Sequence, residues 1–200
     1  MEFIESFMLF SFPEDDVFLI EKDPLMGPNS GRKSCECVVL LSPKLAFIEA
    51  KSSSPKNTGP RFEEFIGEIK QKFVDSIALY DQIKAGMCGE TALNRLPINL
   101  RLTNVASDKY AVYLIIHGHR EDWLMELSDA LKDALRDALR DVIRRWKMKD
   151  SNVKVLNDAL ALENVPQLIV KTVPKAEVDS FRFADGSVDF ERLKHFLTSH

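Results

Sequence analysis

The sequence lacks long apolar runs, and it has no excess of positive charge. No stretch approaches the roughly 20 apolar residues that a membrane-spanning helix needs, and Glu2 and Glu5 lie where a secretory signal would carry positive charge. We therefore expect a cytoplasmic protein without a membrane partner. The formal net charge of −4 gives no overall attraction to nucleic acid, so any polyanion would have to bind through a local patch.

Cysteine is scarce as well, and the few cysteines exclude a disulfide framework. Three cysteines are an odd number, and a 200-residue chain can build a core without cross-links. Cys35 and Cys37 lie two apart on a predicted strand, which would place them on one face. No CxxC pair accompanies them, so we interpret these two residues and Cys88 as buried thiols. His117 and His119 lack a third ligand, and we interpret them as structural or surface residues.

The composition, 45% hydrophobic and 29% charged, is that of a globular domain. We expect one domain over residues 1–200, with a core over about 1–120, a long helix over about 120–149 and a C-terminal extension over about 150–200. Residues 1–12 favour either a short helix or an edge strand. Apolar runs and helical periodicity predict the remaining elements: strand 17–20, hairpin strands 34–41 and 44–52, helix 61–85, strand 110–116, helix 120–149, strand 167–173 and helix 188–198. The pattern predicts an α/β fold with a mixed sheet.

The predicted helix 120–149 has a strong apolar stripe that includes Trp123 and Trp146. Its other face alternates acids and bases three to five residues apart, beginning with Asp129. We interpret that face as solvated and salt-bridged, and both tryptophans as core residues. The alternative is a helix that binds a protein partner or a second copy of the chain.

Three charged residues of the predicted hairpin share one face. If the loop is Ser42-Pro43, Glu36 lies directly opposite Glu49; a type I turn, which favours proline at its second position, would instead place Glu36 opposite Lys51. Both registers keep the three side chains within cross-strand reach. Two close carboxylates repel unless a cation lies between them, and Mg²⁺ or Mn²⁺ suits oxygen ligands. A lysine beside such a cation can orient an attacking water or stabilise charge on a phosphate.

A second Glu-x-Lys, Glu68–Lys70, shows that the spacing alone means little. It falls on the predicted helix 61–85, where residues two apart do not share a face.

The stretch CECVVLLSPKLAFIEAK, residues 35–51, resembles the core motif of the PD-(D/E)XK nuclease superfamily, which has a restriction-endonuclease-like fold. The order of predicted elements over residues 1–116 is similar to the αβββαβ core of that fold. The resemblance implies a Mg²⁺- or Mn²⁺-dependent endo- or exodeoxyribonuclease in which Glu36 and Glu49 hold the metal and Lys51 assists water attack. Glu36 stands where the family usually has aspartate. An inactive nuclease-like subunit that binds nucleic acid or protein is the alternative.

Further residues are matched through the same resemblance. Many members contribute a glutamine or lysine from the following helix, and Gln71 matches that position, with Lys70 as the alternative. An acid from the first helix would correspond to Glu5 or Glu2. Basic residues outnumber acids around the predicted site, which favours phosphate binding. The residues that we expect to contact DNA, with RNA not excluded, are Arg32, Lys33, Lys56, Arg61 and Lys70.

Overall fold

A mixed five-stranded sheet forms the centre of the computed structural model. The structure describes residues 1–27, 30–119, 121–164 and 171–199, without the side chains of residues 121–128 and 164. Within these ranges the main sheet has the order β3-β4-β5-β6-β7. Its strands are β3 (Val17–Phe18), β4 (Cys37–Leu41), β5 (Lys44–Lys51), β6 (Tyr110–Ile116) and β7 (Val153–Asn157). β4 runs antiparallel to both neighbours, whereas β5, β6 and β7 are mutually parallel. The expected α/β class with a mixed sheet is confirmed.

β5 and β6 are apolar throughout because both faces of the sheet are covered. All seven residues of β6 are buried, and β5 is buried except at its two ends. Three helices cover one face: α1 (Pro60–Lys84), α4 (Glu121–Ala138) and α5 (Arg140–Trp146). The other face packs against the first hairpin of the chain and α6 (Asp158–Asn164).

Helix α1 follows the predicted boundaries closely. Pro60 occupies the first turn, where its missing N–H costs nothing, and Gly86 takes the left-handed conformation just beyond the end. Its apolar stripe, which includes Phe73 and Ile77, is buried against the sheet. Because this stripe is packed on the sheet, the α1 side chains that point toward β4 and β5 are held in fixed positions.

The predicted helix 120–149 is divided into α4 and α5 at Leu139. Leu131, Leu135 and Trp146 are buried in the core cluster that includes α1, so the described part of the apolar stripe covers the sheet. The core position of Trp146 is confirmed; the side chain of Trp123 lies outside the described residues. The charged face carries ion pairs three residues apart, as predicted: Asp129–Lys132, Asp133–Arg136 and Asp137–Arg140.

A second sheet forms from both ends of the chain. Its order is β1-β2-β8, with β1 at Glu2–Glu5, β2 at Met8–Ser11 and β8 at Lys171–Thr172. The strand alternative for residues 1–12 is therefore the one observed, and the first helix of the αβββαβ order is absent from these residues. Of the predicted strand 167–173, residues 167–170 lie outside the described residues.

Short helices complete the chain. α2 (Glu90–Arg95) and α3 (Ile98–Leu102) follow α1, and α7 (Phe190–Thr198) matches the predicted helix 188–198. In the described ranges, none of the helices has the length and apolar character to cross a membrane.

All three cysteines are free, and Cys35 and Cys37 are buried as predicted. The expectation that they share a face was wrong. Cys35 belongs to the core cluster beneath α1, whereas Cys37 belongs to the cluster on the opposite face. The reason is that β4 begins only at Cys37, so strand alternation does not apply to Cys35.

Candidate active site

The hairpin brings the two predicted carboxyl groups close together, although its regular register ends one residue before Glu36. Cys37 pairs with Ile48, and the amide of Glu36 donates to the carbonyl of that same Ile48 at 2.9 Å. Glu36 is therefore not paired directly with Glu49, but it lies near enough for the charge of Glu49 to raise its pKa. The type I turn was the wrong alternative: because Leu41 pairs with Lys44, Pro43 occupies the third position of the turn.

Glu49 is a fully buried carboxyl group held by two lysines. Its side chain is 0% exposed, and its Oε1 accepts hydrogen bonds from Lys72 Nζ at 2.7 Å and from Lys51 Nζ at 2.9 Å. Its Oε2 is buried and has no hydrogen-bond partner among the described residues. An unpaired buried acceptor costs free energy, so this oxygen is suited to an additional cation or proton.

Burial raises the pKa of Glu49, and the charges and hydrogen bonds of Lys72 and Lys51 oppose that rise. Burial alone would lower the pKa of Lys72. The adjacent Glu49 carboxylate outweighs burial, so the pKa of Lys72 is raised and its ammonium stays charged.

Glu36 lies among other carboxyl groups and is 8% exposed. Burial raises its pKa to about 9, and the charges of Glu49, Glu5 and Glu21 add to the rise, together with a hydrogen bond to Glu21. Glu21 comes from the 3₁₀ turn Ile20–Lys22, and Glu5 from the end of β1. Without a cation, Glu36 is therefore protonated at neutral pH. A bound cation would favour its ionised form.

Lys51 lies at the end of β5, and 26% of its side chain is exposed. Besides Glu49, its Nζ lies 3.7 Å from Glu68 Oε1 on α1. The ammonium is thus held beside the buried carboxylate by a side chain that is only partly buried.

The α1 residue that reaches the site is Lys72, one position from the predicted residue. Gln71 is exposed, and its side chain donates to Asp75 at 2.8 Å. Lys70 lines a groove between α1 and α4 that includes Ala134. Successive helix residues point about 100° apart, so only one of these three neighbouring side chains can face Glu49.

Sequence reasoning assigned neither Glu21 nor Lys72 to the site. Lys72 occurs at a helical spacing from Glu68 and Ser76, both of which also face the hairpin: Glu68 approaches Lys51, and the Ser76 hydroxyl accepts from the Cys35 amide at 2.9 Å. That spacing was the signal available for Lys72. Glu21 reaches the site from an irregular turn, for which the sequence offers no periodicity.

Four of the five residues expected to contact nucleic acid are exposed, and two of them contact α1. Arg32 donates to Gln82 at 3.2 Å, and the Lys33 amide donates to Asp75 at 2.9 Å. The side chains of Arg32 and Lys33 are exposed, as are those of Lys56 and Arg61.

His117 and His119 lie in different surroundings. His117 is buried, and its Nε2 lies 2.6 Å from the Val173 carbonyl oxygen, which can only accept; Nε2 therefore carries the proton. His119 is half-buried, and burial, followed by the charge of Lys175, lowers its pKa. The structural interpretation of His117 is supported by this contact.

Within the described ranges, no three side chains among His, Cys, Asp and Glu form a group ready to hold a metal ion. A hard divalent ion held by two carboxylates would complete its coordination with water. Comparisons with protein-family models, with curated proteins and with solved structures find no significant match to this chain.

Proposed function

We propose that this protein is a divalent-metal-dependent nuclease that hydrolyses DNA phosphodiester bonds, on a restriction-endonuclease-like fold. The observation that carries the proposal is the cluster of two buried carboxyl groups, Glu36 and Glu49, next to Lys51. The charge of Glu49 raises the pKa of Glu36, Oε2 of Glu49 has no hydrogen-bond partner among the described residues, and the Lys51 ammonium lies 2.9 Å from Oε1 of Glu49. The order β3, β4, β5, α1, β6 also corresponds to the βββαβ part of the core that the motif implies.

The residues fit a hard divalent cation such as Mg²⁺ or Mn²⁺. Glu36 and Glu49 offer oxygen ligands, the Oε2 atom of Glu49 lacks a donor among the described residues, and the two carboxyl groups repel when both are ionised. Such a cation supplies Lewis-acid activation of water when bound.

The chain's own residues supply the remaining chemistry. Lys51 directs a positive charge to the position where a scissile phosphate would gain negative charge. Lys72 is held by Glu49 in turn, so it orients the carboxylate rather than facing solvent. The apolar wall of β5 keeps the carboxylate fixed.

DNA cleavage assays with purified protein test the proposal. Glu49→Gln and Lys51→Met should each reduce the Mg²⁺- or Mn²⁺-dependent cleavage rate by about 100-fold or more, since each removes a group from the reacting centre. Lys149→Met is the matched control, because Lys149 is exposed and lies before β7, at the end of the parallel strands opposite to Lys51. Cleavage of neither DNA nor RNA with either metal would refute the proposal, as would full activity of Lys51→Met.

The paired lysines on Glu49 favour a second candidate, an inactive nuclease-like domain that binds nucleic acid or protein. Two ammonium groups already neutralise the buried carboxylate without a metal ion. Calorimetric titration with Mn²⁺ distinguishes the candidates: the nuclease binds the ion and loses binding in Glu49→Gln, whereas the inactive domain shows no binding to lose.

A further inference from the structure

An open cavity of about 260 Å³ lies between the second sheet and α7, beside the candidate active site. Two of its lining residues belong to the surroundings of that site: Ser52 directly follows Lys51, and the charge of Glu5 contributes to the raised pKa of Glu36. The cavity is slightly smaller than typical small-molecule pockets, which begin at about 300 Å³. It is therefore suited to one unit of a polymer rather than to a whole cofactor.

The walls of the cavity combine an exposed aromatic ring with an exposed cation. Phe190, at the first position of α7, is 60% exposed although it lines the cavity. Arg182 lines the same cavity and is exposed. The one carboxylate of the wall, Glu5, accepts hydrogen bonds from the amide and hydroxyl of Ser6.

A series of contacts fixes Arg182 relative to Lys51. The His117 amide donates to the Lys51 carbonyl at 2.8 Å, and the His117 ring packs against Phe7 with centroids 5.7 Å apart. The Arg182 guanidinium lies over the ring of the same Phe7, 5.2 Å from its centroid. Phe7 itself has φ of 65°, which a bulky residue adopts only when its surroundings require it. The cation is thus positioned by the same residues that border the site.

Among the described residues, the Arg182 side chain donates one hydrogen bond, which leaves the other N–H groups of the guanidinium for a ligand. Its Nη1 donates to the Gly186 carbonyl at 2.8 Å, which anchors the side chain from the exposed segment before α7. A guanidinium has five N–H groups, and its geometry suits phosphate oxygens.

Resting on the proposed function, we propose that this cavity binds the nucleotide adjoining the scissile phosphate of a single nucleic-acid strand. Phe190 stacks on the base, and Arg182 contacts the neighbouring phosphate. Every base has a π-face, and a basic group combined with an aromatic platform is the usual means of holding a single strand without reading its sequence. The substrate class is therefore a strand with an unpaired nucleotide at the cleavage position, and the binding is tolerant of sequence.

Binding of a fluorescein-labelled single-stranded oligodeoxynucleotide of about 12 residues, measured by anisotropy in EDTA, tests this inference without cleavage. Phe190→Ala and Arg182→Ala should each weaken binding by about ten-fold, as loss of one stacked base or one phosphate contact does. Thermal melting of each variant establishes that it is folded, and Arg182→Lys should retain part of the affinity.

The chain offers a matched control for each substitution. Phe183 is 55% exposed but does not line the cavity, and Arg192 lies over the Phe181 ring at 5.5 Å beside a different cavity. Phe183→Ala and Arg192→Ala should leave the affinity within about two-fold of the original. A 2-aminopurine base moved along the strand should be quenched at one position, and Phe190→Ala should remove that quenching.

Three results would overturn the inference: no binding of the oligonucleotide, affinity unchanged in both cavity variants, or equal weakening by the control variants. The outcome is separable from that of the proposed function. Binding that depends on Phe190, in a protein that never cleaves, supports the cavity and refutes the nuclease. Cleavage that requires Lys51 but is unchanged by substitution of Phe190 and Arg182 supports the nuclease and refutes the role of the cavity.

Discussion

At the scale of the residue, Glu36 couples the site to pH. Its carboxyl group is buried among Glu49, Glu5 and Glu21, and its pKa rises from an ordinary 4.5 to about 9. Between those values the folded protein keeps the proton while the unfolded chain releases it. The unfolded state therefore binds fewer protons, and the contribution of Glu36 makes stability fall as pH rises through this window.

Glu36→Gln should remove that dependence. The amide has almost the same shape and cannot ionise, so the free energy of unfolding at pH 8 should rise by on the order of 2 kcal/mol, with little change at pH 4. Urea denaturation at several pH values measures the effect. The control is Glu68→Gln, whose carboxylate is 43% exposed and should give no comparable change. A drop in stability at pH 8 would contradict the assignment of a protonated Glu36.

The residues of the site differ in how far the sequence could locate them. Glu49 and Lys51 follow from alternation along β5, and the turn brings Glu36 near them although it precedes β4, because these constraints are local. Assigning Lys72 would have required knowing how α1 is rotated about its axis. An error of one residue in that rotation turns a side chain by about 100°. Locating Glu21 would have required the path of an irregular turn, and that path depends on tertiary contacts.

At the scale of the element, α4 shows how a helix divides its two faces between core and solvent. The buried Leu135 belongs to the stripe beneath the helix, while Asp133 pairs with Arg136 on the surface at 2.9 Å. Exposed ion pairs contribute little free energy, whereas a buried leucine contributes several kcal/mol.

Leu135→Ala should therefore destabilise the protein by about 2–5 kcal/mol, and Asp133→Ala should change its stability by less than about 0.5 kcal/mol. Chemical denaturation of the two variants gives the comparison. Similar small effects from both would mean that the stripe of α4 is free for a partner instead of packed on the sheet.

Two other elements show the limits of local patterning. β7 was not predicted, because five residues with Lys154 at the second position and Asn157 at the end give a weak apolar signal. It is held by its parallel pairing with β6, which no short window of sequence contains. The strand at residues 8–11 has one local partner, β1, and one remote partner, β8, and only the local pairing falls within a short window of sequence.

At the scale of the whole molecule, His117 connects the two sheets. It follows β6 of the main sheet, donates through Nε2 to Val173 beyond β8, and packs on Phe7 between β1 and β2. His117 is thus one of the buried side chains that attach the second sheet next to Lys51, together with Met8 and Phe10 of β2, which pack on the main sheet.

His117→Leu should loosen that attachment. Losing a buried hydrogen bond should cost about 1–3 kcal/mol, and amide hydrogen exchange should accelerate in β2 and β8 while β5 and β6 keep their protection. His119→Leu is the matched control, since His119 is half-buried. Uniform acceleration over both sheets would show instead that His117 supports the core as a whole.

The pairing of β2 with β8 also sets an order of events during synthesis. Met8 aligns with Thr172, and the Val173 amide donates to the Phe7 carbonyl, across more than 160 intervening residues. The main sheet can be assembled once β7 has left the ribosome, but the first hairpin has to wait for residues 171–173 before its second edge is paired. Until then one edge of β2 is unpaired. Unpaired strand edges favour aggregation, and chaperones shield such edges in nascent chains.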